Sequence, residues 1–248
     1  MPPATLVTFD GPEVFPAVAP PDNRLLRGLP QEESGSLMRL LQPVELRAGE
    51  VLAEPGERIA HVYFPVDCCF SLMANLGAHP ALGVGLAGRE GMLGSSLALG
   101  IATAPLRASV QGAGTALRME AAPFRRALAQ CPGLRRNVGC YMHVQLMLLA
   151  QTAYCVRFHV IEARLAQWLL MAHDRSAGDS FVATHAALAA LLGVRRSGVT
   201  TAAGALHRKS LIEYNRGRVT VLNRRDLERR SCECYRIARG IYDGLLAP

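Results

Sequence analysis

The chain has 248 residues, half of them hydrophobic, and a formal net charge of +7, enough to bury the core of one large domain or two smaller ones. No run of about 18 apolar residues is free of charge or glycine, and no charged segment precedes an apolar one at the N-terminus, so neither a membrane span nor a secretory signal is expected and the expected location is cytoplasmic. The seven cysteines are odd in number and lack small-scaffold spacing, which favours free thiols over a disulfide framework.

The first 22 residues are rich in proline and without periodicity, as in a flexible leader. From Asn23 to about Leu41 short helical patterns fit. Beyond them, alternating residues such as Val44, Leu46, Val51 and Ala53, separated by Gly49-Glu50 and Pro55-Gly56, describe short strands and tight turns. Strands continue this way to Glu120, which suggests a barrel or sandwich of about 80 residues. Gly83-Val84-Gly85-Leu86-Ala87-Gly88 spells a dinucleotide-binding glycine pattern, but no acid follows between Glu90 and Glu120, so it does not describe such a site. No nucleophile, base and orienting group are tied together by local motif, and no catalytic residue is assigned.

Helical character begins with AAPFRRALAQ and resumes after Cys131-Pro132-Gly133 in a long segment from Leu134 to about Cys155. Leu134, Val138, Tyr141, Leu148 and Cys155 fall at 3-4 spacing, with Gln145 and Thr152 at the remaining seam positions. This pattern fits a dimerising coiled coil, although two helices packed within one subunit would give a similar one. A second amphipathic run, IEARLAQWLLMAHD, starts after Val156 to His159, which places a hinge there.

Charge is divided unequally about this hinge. Residues 1–156 carry 12 Arg against 12 acids, whereas 157–248 carry 14 Arg and Lys209 against 8 acids. Clustered guanidinium groups suit a polyanion, above all nucleic acid, though a merely solvated basic surface would give the same count. Ala186 to Leu192 forms a short apolar helix, Gly193 turns the chain, and a second helix from about Arg196 to Lys209 turns Val199, Ala202, Ala203 and Leu206 inward. Outward positions are Arg195, Arg196, Ser197, Thr200, Thr201 and Arg208, all able to contact phosphates or base edges. LIEYNRGRVTVL then reads as a hairpin with Arg216 and Arg218 at its tip. Helix, turn, helix and basic hairpin make a winged helix.

In the order Pro105-Leu106-Arg107-Ala108-Ser109-Val110, the long helix, Arg164-Leu165-Ala166-Gln167-Trp168-Leu169-Leu170, Leu192-Gly193-Val194-Arg195-Arg196-Ser197-Gly198-Val199 and the Arg216-Gly217-Arg218 wing, the chain resembles the Crp/Fnr superfamily of bacterial transcription regulators. The resemblance implies an α+β fold: an N-terminal cyclic-nucleotide-binding-like jelly-roll β-barrel over 23–130, a dimerisation helix and hinge over 131–158, and a C-terminal winged helix-turn-helix over 159–248. It implies base contacts from Arg196, Ser197 and Thr201. The implied partners are a double-stranded DNA operator with two-fold symmetry, a second copy of the chain and RNA polymerase, with no membrane. Two features depart from the pattern: Arg195 stands where many members have a Ser or Thr cap, and Gly198 loosens the first turn at a cost of about 1 kcal/mol. The alternative is a ligand-binding module whose winged helix serves protein contacts.

For the sensor, Arg107 matches the phosphate-binding arginine of cyclic-AMP binders, and Glu90, with Ser95 nearby, is the only carboxylate in range. Its Glu-Gly order inverts theirs. Their adenine-contacting hydroxyl pair falls on Leu149 and Ala150, so cAMP is not expected; either another small effector binds near Arg107, or Arg107 pairs with Glu90 in a vestigial pocket. No iron-sulfur cluster or other metal is expected, because no cysteine precedes Cys68, Cys68 and Cys69 alternate on a strand, and Cys232-Glu-Cys234 has one intervening residue where such sites usually have two. His143 and His159 read as packed residues rather than haem ligands, which leaves the cofactor unknown.

Overall fold

The computed structural model describes residues 22–75, 81–176 and 178–245. All but the last residue of the expected leader lies outside these. Asn23 opens the first helix. Its side-chain oxygen accepts from the Leu25 N–H and caps helix α1 (Arg24–Arg27), while its amide donates to the Pro65 and Gly91 carbonyls, both at 2.9 Å. A fully buried amide is tolerated here because its groups are paired. Helix α2 (Gln31–Met38) leads into the strands.

Seven strands form two antiparallel sheets. In one, β7 (Gly114–Glu120) lies between β1 (Gln42–Leu46) and β3 (His61–Pro65). In the other the order is β2 (Val51–Ala53), β6 (Arg107–Gly112), β4 (Cys69–Ala74), β5 (Leu82–Ala87). Leu46, Phe70, Ala87, Val110 and Ala116 interdigitate from both sheets to fill the jelly-roll interior, as the alternation of these strands requires. Gly49 and Gly56, at φ 87° and 83°, turn the chain where the sequence placed its tight turns.

Helix α3 (Ala121–Gln130) follows, then α4 (Pro132–Phe158), begun by a proline at its first position, where no N–H is needed. Leu134, Val138, Tyr141, Val144, Leu148 and Cys155 are buried on α4, and the Tyr141 hydroxyl donates to the Met92 carbonyl at 3.1 Å. These residues pack on the same subunit's barrel and on its last helix. The residues assigned from sequence to a dimer seam thus make the intrachain packing that the same spacing also allowed. An α-helix with two apolar faces shows one 3-4 pattern per face, and spacing alone does not say which face meets the barrel.

The second core gathers α5 (Ile161–His173), β8 (Ser180–Val182), α6 (His185–Leu192), α7 (Arg196–Arg208), β9 (Ile212–Asn215), β10 (Arg218–Val221) and α8 (Arg224–Arg230). The three strands pair in the order β8, β10, β9. Finally α9 (Cys234–Leu245) lies along α4 and buries Tyr235, Ala238 and Tyr242 at 3-4 spacing.

The two cores touch along β5. A Cβ on Gly83 would meet the Leu191 carbonyl oxygen at 2.7 Å, and one on Gly88 would meet Arg175 Cγ at 2.7 Å. The glycine run that imitates a nucleotide loop is therefore the bare surface on which α6 and the end of α5 rest. Nearby, Arg175 Nε donates to Glu90 Oε1 at 2.8 Å and its Nη2 lies 2.6 Å away, both side chains buried. Burial works against the Arg175 charge, and the Glu90 carboxylate more than offsets this, leaving the guanidinium pKa above its ordinary value.

Candidate functional site

The α6–α7 unit is built by a sequence of local rules. Thr184 caps α6, its hydroxyl oxygen accepting from the Ala187 N–H at 3.1 Å. At the other end Gly193 adopts the left-handed conformation (φ 63°, ψ 40°), its N–H donates to the Ala190 carbonyl, and the Val194 N–H reaches back to that of Ala189 at 3.0 Å. This Schellman-type ending explains the requirement for glycine. The buried Arg164 guanidinium donates to the Leu192 carbonyl, closing the same helix end from α5.

Helix α7 starts at Arg196 without a side-chain cap, consistent with the lack of a Ser or Thr at Arg195. Gly198 has a packing reason: a Cβ there would lie 3.0 Å from Ile161 Cδ1, so its absence lets α5 and α7 approach. Val199, Ala202, Ala203 and Leu206 are buried, as their spacing predicts. Arg195, Arg196, Ser197, Thr200, Thr201 and Arg208 are all exposed. Thr200 and Thr201 donate to the carbonyls of Arg196 and Ser197 at 3.1 and 3.0 Å, which fixes their side-chain rotamers. His185 stacks on Tyr214 with centroids 4.2 Å apart, and its Nδ1 lies 3.1 Å from Thr200 Oγ1. Burial and the neighbouring Arg196 charge lower its pKa.

The wing is a two-residue hairpin: Asn215 pairs with Arg218, and both Arg216 (φ 47°) and Gly217 (φ 81°) have positive φ, the geometry of a type I′ turn. Arg216 and Arg218 are exposed. Ion pairs within this unit engage Arg224, Arg229 and Lys209. Among the described residues they leave Arg195, Arg196, Arg208, Arg216 and Arg218 to the outside, as well as Arg225 and Arg230 on α8.

The expected effector residues are not brought together. Arg107 pairs with Glu54 at 3.3 Å near the surface, and Glu90 faces Arg175 instead. The turn after β5 decides this, since Glu90 accepts from the Gly88 N–H at 3.0 Å and so points away from the barrel interior. Ser95 alone of the three lines a barrel cavity of about 380 Å³, together with Ser96, Tyr63, Met92, Tyr141 and Gln145. Ser96 Oγ and Gln145 Nε2 are buried there without a hydrogen-bond partner among the described residues. Leu149 and Ala150 are exposed on α4 and do not line the cavity. Sequence reasoning missed Gln145 as a cavity residue because its seam position was assigned to a partner helix.

Residues 163–230 match the Crp-like helix-turn-helix domain family. The chain has the Crp/Fnr transcription-regulator fold. Among solved structures it is similar to FixK2 from Bradyrhizobium japonicum (14% identity over 77% of this chain and 98% of that one, TM-score 0.64). It is also similar to the c-di-GMP responsive global regulator CLP from Xanthomonas campestris (14%, 77% and 99%, TM-score 0.60). A third relative is a CRP-family transcriptional regulator from Thermus thermophilus (19%, 76% and 96%, TM-score 0.61). The last two are described as regulators. No curated protein matches the sequence. No described helix is long and apolar enough to cross a membrane.

Proposed function

We propose that this Crp/Fnr-type regulator binds a two-fold DNA operator as a homodimer, reading bases from the start of α7 and gripping phosphates with the wing. The observation that carries the reading is the set of unengaged arginines at one helix start and one hairpin tip, Arg195, Arg196, Arg216 and Arg218. Arg196, Ser197 and Thr201 take the base-contacting role and Arg195, Thr200, Arg208, Arg216 and Arg218 the positioning role. Dimerisation is supported by the outer face of α4. Gly139, Met142, Leu146, Leu149, Ala153 and Val156 follow a strict 3-4 heptad one residue out of phase with the buried face, and Leu146 is 63% exposed. A continuous apolar strip of this kind is the seam of a parallel helix pair. The orphaned Ser96 hydroxyl and Gln145 amide support a small polar effector in the barrel cavity.

The test is fluorescence anisotropy on an operator selected from a random duplex library. Binding is expected to weaken steeply with salt, Arg196→Ala to cost about 1–3 kcal/mol at one base position, and Arg216→Ala or Arg218→Ala to weaken all sequences alike. An Arg196→Ala protein that keeps both affinity and preference refutes the assignment and favours a winged helix devoted to protein contacts.

A further inference from the structure

Four side chains from distant parts of the sequence converge at the foot of α4. Cys155 lies in its last turns, His159 is its C-cap, Cys232 lies in the link from α8 to α9, and Cys234, beyond Glu233, is the first residue of α9. Their ligand atoms all lie within 4.8 Å of one another. The Cys155 and Cys232 sulfurs are 3.7 Å apart, and Cys234 Sγ is 3.5 Å from His159 Nδ1. All three thiols are buried and the imidazole is partly so.

The 3.7 and 3.5 Å separations are those of neighbouring ligands on one tetrahedral ion, and the 4.8 Å limit on the rest lets a small side-chain adjustment close the set. Metal–sulfur bonds of about 2.3 Å and metal–nitrogen bonds of about 2.0–2.1 Å place neighbouring ligands roughly 3.5–3.8 Å apart. An iron-sulfur cluster would spread its thiolates farther, because iron and sulfide fill its centre. A Cys155–Cys232 disulfide would leave the third thiol and the ring facing them without purpose.

The surroundings suit a bound ion. His159 turns Nδ1 toward the sulfurs, and its Nε2 lies 3.6 Å from the Glu233 carboxylate, the arrangement in which a carboxylate behind the ring orients a metal-binding histidine. Gln167 Oε1 accepts from the Cys155 and Cys232 thiols, each at 3.2 Å. A half-turn of that amide presents N–H donors to the same atoms as thiolates. The single-residue spacing of Cys232 and Cys234, which argues against a site in sequence, is no obstacle once two ligands come from another helix.

We propose that Cys155, His159, Cys232 and Cys234 bind one structural zinc ion. Three thiolates and one imidazole in a closed tetrahedron select a borderline-soft, redox-inert divalent ion and leave no open position for a substrate. The ion ties the start of α9 to the last turn of α4 and to the residue that leads into α5. It therefore fixes the hinge between the dimer helix and the DNA-reading unit, a role beyond the DNA contacts themselves.

The experiment uses the full chain purified under reductant and without chelator, with metal content measured by mass spectrometry and the ion then exchanged for Co²⁺. One zinc per chain is expected, and the cobalt form should show thiolate-to-metal charge transfer and the strong visible bands of a tetrahedral site. Cys234→Ser should abolish stoichiometric loading, and Glu233→Gln should weaken affinity about 10–100-fold. Cys140→Ser, on α4 outside the cluster, should leave loading unchanged. A natively folded, reduced wild-type chain that takes up no cobalt, or binds it without thiolate charge transfer, overturns the proposal, as does loading indifferent to Cys234→Ser. Metal is read without DNA, so loss of operator binding with intact loading counts against the DNA reading alone.

Discussion

Replacing Leu146 and Leu149 together with glutamate should convert a dimer to a folded monomer. The two leucines are 63% and 48% exposed in the single chain. Burying a whole leucine side chain is worth about 1.5–3 kcal/mol, so the exposed portion of each contributes roughly 1 kcal/mol on pairing. Four such side chains across a two-fold interface amount to about 4–5 kcal/mol, close to a thousandfold in dissociation constant. Four carboxylates facing one another in the seam add repulsion to that loss. Both positions face outward in the monomer, so far-UV circular dichroism and the urea midpoint should change little. Sedimentation equilibrium at micromolar concentration reads the outcome. A double variant that dimerises as tightly as the parent would show that the outer heptad of α4 is not the interface.

Three further perturbations test the packing around the site. Glu90→Gln leaves the buried Arg175 guanidinium without its counter-charge and should cost about 3–5 kcal/mol in urea denaturation, with Glu90→Gln/Arg175→Met recovering part of it. An equal loss in both variants would contradict this. Gly198→Ala gains helix propensity but crowds Ile161; in an Ile161→Val background, where that methyl is gone, it should stabilise by about 1 kcal/mol. His185 has a folded pKa below the unfolded value of 6.5, so the fold binds the proton less readily than the unfolded chain. Its contribution is present above pH 6.5 and is lost as pH falls through the folded value. His185→Gln should flatten the stability profile across that window, and an unchanged slope would rule out this residue as its source.

Much of the winged helix was legible because its signals are local. Gly193 ends α6 in a left-handed conformation that favours glycine, the 3-4 spacing of Val199, Ala202, Ala203 and Leu206 names the inner face of α7, and Asn215 to Arg218 is a hairpin turn by composition. The C-terminal helix was missed although Tyr235, Ala238 and Tyr242 carry the same spacing. The sensor fared worse. Arg107 and Glu90 are close in sequence and chemically matched, yet they take different partners, Glu54 near the surface and the buried Arg175.

Composition, the division of charge, turn residues and helical period determined the strand-rich first half, the long helix, the winged helix and its outward arginines, since each depends on neighbours within a few residues. Only the tertiary structure decided which apolar face of α4 the barrel covers, why Gly83, Gly88 and Gly198 lack side chains, and that Cys155, His159, Cys232 and Cys234 meet. Those outcomes depend on where a distant segment docks. A rotation of about 100° between adjacent helix residues is enough to exchange a buried seam for an exposed one.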